Sequence, residues 1–297
     1  SGPGISLYSE NLGLAIIGET PMVIVNVQRQ GPSTGSATKG AEGDIQFTRW
    51  VTSGGLPIIA LSLATVEEAY ELTFHAFNMA EKYRTPVFIL TNKEVGLTRE
   101  SVDLGAVKTV LRIDRKKIKP GDKYIPHHFE KPGEVPPIAD FGGEHIARYT
   151  ASTHDENAYL TNSPAIIQEM IDHYTEKIDG AADELALYKE DLQADAETLI
   201  ISYGIISRSV AAAIKQAREK GHKVSSLVLQ TLFPVPEKVI KSALQGIKKV
   251  IVPEMNMGQY VLEIERLAGD KTEVIRVNKM DTTLISPAMI LEKGGLQ

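Results

Sequence analysis

Residues 22–44, MVIVNVQRQGPSTGSATKGAEGD, combine an apolar run with a loop that holds four glycines. The run is β-branched and is apolar on both faces except at Asn26, which is typical of a central parallel strand covered by helices. It ends at Arg29, and Thr34 and Thr38 follow closely. Ligands of open α/β sheets bind at the carboxyl ends of the strands, so the function of this arginine is the main question that the stretch raises.

The planar fork of Arg29 matches a carboxylate or phosphate, and a threonine hydroxyl can donate a hydrogen bond to a carbonyl or carboxylate oxygen. The residues therefore indicate an anion-binding loop for a small acid. A structural alternative is equally open, in which Arg29 forms an ion pair with Asp44 or Glu42 and only holds the loop in place.

Strands and helices alternate on both sides of this stretch. Residues 56–62 and 87–90 read as buried strands, while residues 5–18 and 66–84 have apolar positions at helical spacing. This order predicts a doubly wound parallel α/β domain over residues 1–178. Residues 100–162 interrupt it with prolines, glycines, four histidines and the basic run 112–123, and we expect an inserted arm, with a hairpin as its candidate form.

The second half of the chain repeats the alternation. Residues 179–196 read as an acidic, helix-prone connector, and residues 197–297 as a Rossmann-like domain of about four strands. Its strands are predicted at residues 198–203, 224–229, 250–252 and 274–277. Its helices are predicted at residues 207–220, 236–244 and 259–267.

Composition excludes several classes of function. The 297 residues carry a net charge of −6, which argues against nucleic-acid or membrane-surface binding through bulk positive charge. No apolar run reaches the length of a membrane span, and no signal-peptide pattern is present, so we expect a cytoplasmic protein. The sequence has no cysteine, so any iron–sulfur cluster would have to be held by another chain.

Two groups of histidines in the arm could suggest a metal site. His154, Asp155 and Glu156 are consecutive, so their side chains point in divergent directions and a surface turn is the better interpretation. His127 and His128 lie in a proline-rich stretch and are expected to be solvated. No metal site is predicted on this chain.

Two stretches resemble a known family. The opening 45 residues, from Ser1-Gly2-Pro3-Gly4 through the Arg-x-Gly-Pro-Ser-Thr-Gly loop to Ile45, closely resemble the alpha subunit of 2-oxoacid:ferredoxin oxidoreductases, in particular the 2-oxoglutarate type. TLFPVPEKVI (residues 231–240) and VIVPEMNMGQY (residues 250–260) extend the resemblance to the second domain.

The resemblance implies a thiamine-diphosphate enzyme that decarboxylates a 2-oxoacid, forms an acyl-CoA and passes electrons to ferredoxin. This chain would supply the pyrimidine-side thiamine domain and a transketolase-C-terminal-like domain. A beta subunit would supply Mg²⁺, the diphosphate site and a 4Fe–4S cluster, and a gamma subunit or domain would complete the complex.

The same resemblance assigns roles to residues of the first domain. Arg29 would grip a substrate carboxylate, and Thr38 would help to position the substrate. The loop Ser1, Gly2, Pro3 and Gly4 would lie next to the cofactor. Gly31 and Gly35 would let the backbone of the Arg29 loop approach the ligand closely.

Two features depart from the family pattern. The family's Tyr-Pro-Ile-Thr-Pro motif and its cofactor-activating glutamate lie upstream of the Ser-Gly-Pro-Gly loop, so we expect a segment before Ser1 to be missing from this sequence. Gln30 stands where a glycine is common. Two alternatives stay open: a homologous subunit for pyruvate or a branched-chain 2-oxoacid, and a non-catalytic assembly subunit with the same fold.

Overall fold

The computed structural model describes residues 1–107, 109–270 and 272–297. The N-terminal part is built on a mixed five-stranded sheet. Its elements are α1 (Gly2–Ser6), α2 (Ser9–Ile17), β1 (Met22–Gln30), β2 (Ser36–Gly40), α3 (Ile45–Arg49), β3 (Ile59–Ser62), α4 (Val66–Tyr83), β4 (Pro86–Asn92) and α5 (Lys93–Gly96).

The predicted strand–helix alternation of this part is confirmed. β1, β4 and β3 are parallel, and β2 folds back antiparallel to β1. Instead of one helix over residues 5–18, the chain forms two, α1 and α2, which are separated at Leu7 and Tyr8. The predicted Ser-Gly-Pro-Gly loop is therefore the first turn of a helix, a position that proline tolerates because it needs no intrahelical N–H.

One face of β1 is less covered than the sequence indicates. Ile24 and Asn26 are buried, but Val25 and Val27 on the opposite face are 56% and 42% exposed. Helix α4 packs along Val23 on that face, within the core that it forms with β3 and β4. The prediction of a strand covered on both faces is therefore wrong at these two valines, which no helix among the described residues buries.

The predicted arm contains only isolated bridges among its described residues, Lys117 with Ile138 and His154 with Leu160, so the hairpin is not formed. The arm packs against the body. Arg84, which is 1% exposed, donates to the carbonyl oxygens of Pro136 and Pro137 at 3.0 and 3.3 Å. Backbone hydrogen bonds to a buried guanidinium hold this irregular segment in place.

The C-terminal part forms a second sheet, β10-β9-β6-β7-β5, whose first four strands are parallel. The elements of this part are α6 (Pro164–Asp179), α7 (Ala182–Leu185), β5 (Tyr188–Asp191), β6 (Thr198–Ser202), α8 (Ile206–Glu219), β7 (Val224–Leu229), β8 (Thr231–Phe233), α9 (Glu237–Ala243), β9 (Lys249–Glu254), α10 (Val261–Ala268), β10 (Glu273–Asn278) and α11 (Pro287–Gly294).

None of the helices in the described ranges is long and apolar enough to span a membrane.

A strand from the second half of the chain completes the first sheet. β8 follows β7 of the second sheet directly but pairs antiparallel with β3 of the first. At the contact between the two sheets, which we call the seam, Ser62 N–H donates to the carbonyl oxygen of Gln230 at 2.7 Å. The segment predicted as an acidic connector contains α7 and the edge strand β5, so it is part of the fold. The division of the chain near residue 197 stays a prediction.

Candidate functional site

A cleft of about 710 Å³ opens at the carboxyl end of β1. Helix α1 forms one wall, and the two segments on either side of β2 form the others. It is lined by Gly2, Pro3, Ser6, Leu7, Arg29, Gln30, Gly31, Pro32, Ser33, Ala41, Gly43, Asp44, Phe47 and Met280. The stretch that carries the sequence prediction thus lies around one cavity, at the sheet edge where α/β proteins bind ligands.

Arg29 is half-buried in this cleft, and one N–H of its guanidinium is unsatisfied. Its buried Nε has no hydrogen-bond partner, and it forms no ion pair with any carboxylate of the described residues. The alternative of a structural ion pair with Asp44 or Glu42 is therefore wrong. A buried donor without a partner costs free energy, and an anionic ligand would satisfy it.

Asp44 also lines the cleft and is fixed by hydrogen bonds. Its Oδ2 accepts from Gly2 N–H at 2.9 Å and from Asn26 Nδ2 at 3.1 Å, and its own N–H donates to Gln28 Oε1 at 3.0 Å. Burial raises the pKa of Asp44, against the hydrogen bonds from Asn26 and Gly2 and the more distant charge of Arg29. This carboxyl ties α1 to β1 and leaves Asn26 Oδ1 buried without a partner.

Two glycines are required by the geometry of the cleft. A Cβ at Gly2 would lie 2.7 Å from Asp44 Oδ1, too close for a side chain. Gly35 has φ +53°, and a Cβ there would lie 1.7 Å from the carbonyl oxygen of Gln30. Gly35 thus closes the turn that returns the chain from β1 to β2, as expected for glycine at positive φ.

Not every predicted site residue reaches the cleft. Thr38 has a left-handed φ of 62°, is exposed on β2 and is absent from the lining. Gly31 and Pro3 line the cleft, whereas Ser1 caps α1 by accepting from the N–H groups of Gly4 and Ile5 at 2.9 and 3.0 Å. The role assigned to Thr38 stays a prediction.

Sequence reasoning treated Asp44 only as a possible partner of Arg29, and it missed Met280 altogether. Asp44 follows a glycine and precedes α3, which is a common pattern at a helix start, so its contact with α1 has no sequence signal. Met280 enters the cleft from the loop after β10, in the other sheet. Only the packing of the two sheets brings it within reach.

Glu42 lies between two lining residues, but its side chain points into the seam between the sheets. Its Oε1 accepts from Ile205 N–H at 2.9 Å and from Asn92 Nδ2 at 3.4 Å, and its buried Oε2 has no partner. Burial, together with the nearby charges of Glu254 and Glu94, raises the pKa of Glu42 to about 8 against the effect of the Ile205 hydrogen bond. This carboxyl is therefore protonated at neutral pH.

Comparison with known proteins defines the class. Residues 1–172 match the family described as "Pyruvate flavodoxin/ferredoxin oxidoreductase, thiamine diP-bdg", and residues 196–290 match "Pyruvate:ferredoxin oxidoreductase core domain II". Fold, cleft position and sequence therefore agree on a thiamine-diphosphate-binding domain followed by a second core domain of such an oxidoreductase.

Individual relatives narrow the class. The 2-oxoglutarate synthase subunit KorA of Methanocaldococcus jannaschii is 39% identical over 97% of this chain and 76% of its own length. KorA of Methanothermobacter thermautotrophicus is 37% identical over 98% of this chain and 77% of its own length. The chain belongs to the 2-oxoacid:ferredoxin oxidoreductase family. These two 2-oxoglutarate synthase subunits are members of that family to which it is similar.

A solved structure supports the same assignment. The 2-oxoglutarate:ferredoxin oxidoreductase from Magnetococcus marinus, with 2-oxoglutarate, coenzyme A and succinyl-CoA bound, matches with a TM-score of 0.88 and 27% identity. The match covers 99% of this chain but only 52% of the other. The chain thus spans about half the length of that protein.

Proposed function

We propose that this chain is the alpha subunit of a 2-oxoglutarate:ferredoxin oxidoreductase. The complex would convert 2-oxoglutarate and coenzyme A to succinyl-CoA and CO₂ and pass two electrons to ferredoxin. The observation that carries the proposal is the unpaired guanidinium of Arg29 in the cleft next to α1. In this role Arg29 binds the carboxylate of the 2-oxoacid and orients the neighbouring carbonyl for attack.

Thiamine diphosphate is the cofactor that the family implies, and the residues of the cleft fit one part of it. Leu7, Phe47 and Met280 offer apolar surface to a pyrimidine ring, and Gln30 of the same lining has a buried Oε1 without a partner that can accept a hydrogen bond. When bound, the cofactor supplies the electron sink for decarboxylation. The chain's own residues orient the ring, bind the substrate carboxylate and exclude water.

The diphosphate end of the cofactor needs a second chain. Arg29 is the single cation in the described lining of the cleft, and the described residues hold no group of three or more side chains that could bind a metal. We assign the diphosphate, Mg²⁺ and a 4Fe–4S cluster to a beta subunit. Thr38, exposed on the hairpin beside Arg29, would contact the substrate once that subunit closes the site.

Exposed apolar side chains support such a partnership. Val25 and Val27 of β1 and Phe74 and Phe77 of α4 are each more than 40% exposed. Large exposed apolar side chains of this kind are common at protein interfaces. The partners we propose are the beta subunit, a gamma subunit or domain, and ferredoxin, with coenzyme A as co-substrate, in the cytoplasm.

A homologous substrate is the second candidate. The ketoisovalerate oxidoreductase subunit VorB of Methanothermobacter thermautotrophicus is 31% identical over 99% of this chain. Arg29 can bind the carboxylate that all 2-oxoacids share, so pyruvate or a branched-chain oxoacid remains the alternative substrate. A non-catalytic assembly subunit is the third candidate, and the unpaired Arg29 argues against it.

The test is anaerobic reduction of a viologen dye by the complex purified through this chain. The assay contains thiamine diphosphate and coenzyme A and compares 2-oxoglutarate, pyruvate and 2-oxoisovalerate. The proposal predicts the highest kcat/KM with 2-oxoglutarate. A higher value with one of the other acids would support the homologous subunit, and no reduction by a complex with intact clusters and cofactor would support the assembly role.

A further inference from the structure

A second cavity, of about 320 Å³, lies between the arm and α6. It shares no lining residue with the Arg29 cleft among the residues described, and the proposed function makes no use of it. It is lined by Glu19, His127, Phe129, His154, Asp155, Glu156, Asn157, Ile166, Glu169, Met170, His173 and Tyr174. Its volume is at the lower end of the range for small-molecule sites.

A buried ionic cluster forms the floor of this cavity. Glu19 is fully buried and accepts from Lys177 Nζ at 2.7 Å, from His173 Nε2 at 3.0 Å and from His127 Nδ1 at 3.2 Å. Burial opposes ionisation, but Lys177, the two histidines and the charge of Arg84 hold the pKa of Glu19 well below its usual range. Glu19 is therefore a carboxylate and can only accept.

This carboxylate fixes the tautomer of His127. Because Glu19 accepts from Nδ1, the proton of the neutral ring lies on Nδ1 and Nε2 carries a lone pair. Burial lowers the pKa of His127, so the ring is neutral at pH 7 even though Glu19 opposes this effect. The side chain is 4% exposed, and its Nε2 has no partner. The cavity thus contains a buried acceptor that lacks a donor.

The rim of the cavity is acidic. Its carboxyl groups include those of Asp155, Glu156 and Glu169, and the described lining contains no lysine or arginine. Two cations act from outside the lining, because Lys177 binds Glu19 and the charge of Arg84 reaches both Glu19 and His127. Asp155 is occupied by the N–H groups of Asn157 and Tyr159, and Glu156 by His128 Nδ1 at 2.7 Å. Glu169 is exposed at the rim and has no ion-pair partner among the residues described.

We propose that this cavity binds a small organic ammonium cation. The ammonium group donates to His127 Nε2 while its charge lies near the carboxylates of Glu169 and Glu156. An alkyl tail packs on Ile166 and Met170 of α6, which line the same cavity. A neutral molecule of the same shape lacks the attraction to these carboxylates, and they repel an anion.

The test is saturation-transfer difference NMR on the purified complex, with butylammonium as the probe and 1-butanol and butyrate as isosteric comparisons. We expect saturable transfer to butylammonium at pH 7, and at least about fivefold weaker binding of 1-butanol. Glu169→Gln, at an exposed position, should weaken butylammonium binding severalfold. Glu219→Gln, an exposed carboxylate of α8 outside the cavity, should leave it unchanged.

A second variant tests the acceptor. His127→Phe keeps a ring in place and removes Nε2, and it should abolish saturable transfer in a complex that still melts cooperatively. If this variant does not fold, the Glu169→Gln variant still tests whether the cavity binds the ammonium cation. The proposal is overturned if butylammonium shows no saturable transfer, if 1-butanol or butyrate binds as well, or if Glu169→Gln and Glu219→Gln behave alike.

Discussion

The position of Arg29 depends on the residues that follow it in the chain. The strand β1 ends at Gln30, and Gly35 lets the chain turn back into β2 with φ +53°. The turn leaves the guanidinium in the cleft with an unpartnered Nε, while Gly2 and Asn26 hold Asp44 in the lining of the same cleft. The site is thus built from backbone geometry as much as from charged groups.

Replacement of Gly35 by alanine tests this geometry. The new Cβ would lie 1.7 Å from the carbonyl oxygen of Gln30, so the loop has to shift. Gln30 directly follows Arg29 in the chain, so the shift should also move the guanidinium. We expect the KM for 2-oxoglutarate to rise by about tenfold or more, since strain of this kind costs about 1–3 kcal/mol.

Gly96→Ala is the matched control, because a Cβ at Gly96 meets nothing within 4 Å. It should leave KM within about twofold of the unmodified complex. Equal KM values for the Gly35 and Gly96 variants would contradict the role given to the turn.

At the scale of elements, the arm is the least regular part of the fold, and one buried carboxylate joins it to two other segments. Glu19 follows the end of α2 and has a left-handed φ of 49°. It contacts His127 of the arm and both His173 and Lys177 of α6. Three segments that are distant in the sequence therefore meet at a single side chain.

Glu19→Gln should destabilise the fold by about 3–5 kcal/mol, because it leaves Lys177 buried without its counter-ion. The urea midpoint of the complex measures the loss, and limited proteolysis should cut within residues 100–162 sooner than in the unmodified complex.

The stabilisation by Glu19 should also depend on pH. Since the pKa of Glu19 is lowered on folding, its contribution to stability is present above about pH 4.5 and is lost as the pH falls further. Glu10→Gln, at an exposed site on α2, is the control, and an equal midpoint for the two variants would refute the prediction.

The regular elements were predictable from the sequence, and the contacts of the arm were not. The buried strands that contain Ile59 and Val87, and helix α4, follow from apolar periodicity. His127 and His154 were expected at the surface, but both are buried. Polar residues in an irregular segment carry no periodic signal, and their partner Glu19 is 108 residues from His127.

The same limit applies to the candidate site. Arg29 and the glycine-rich loop could be predicted because they follow a strand end with a strong local pattern. Met280 and the strand β8 could not, because each joins the opposite half of the molecule through tertiary packing alone. A three-residue strand such as β8 is also too short for alternation to show.

At the scale of the whole molecule, Glu42 connects the cleft to the seam between the two sheets. Its neighbours Ala41 and Gly43 line the cleft, while its carboxyl accepts from Ile205 at the start of α8. Gly204, with φ +58°, leaves room for this contact, because a Cβ there would lie 2.0 Å from Glu42 Oε1. The relative position of the sheets and the shape of the cleft therefore depend on the same side chain.

The raised pKa of Glu42 gives a prediction for stability against pH. The folded state binds a proton that the unfolded state releases above about pH 4.5, so stability falls as the pH rises from there to about 8. Glu42→Gln keeps the neutral form at all pH values. We expect it to stabilise the complex by on the order of 4 kcal/mol at pH 9 and to have little effect at pH 5.

Urea midpoints at pH 5, 7 and 9 provide the measurement, with Glu219→Gln as the control for the loss of a surface carboxylate. An effect of Glu42→Gln that does not change with pH would show that Glu42 is ionised in the folded protein.

The central claim is that Arg29 binds the substrate carboxylate, and the steady-state KM of the complex tests it most directly. Arg29→Ala should raise the KM for 2-oxoglutarate by about 10- to 100-fold, and Arg29→Lys should restore only part of the loss, because lysine keeps the charge without the planar fork. Lys39→Ala, which removes an exposed cation of β2, is the matched control. A KM for Arg29→Ala equal to that of Lys39→Ala, in complexes with the same cofactor content, would contradict the account.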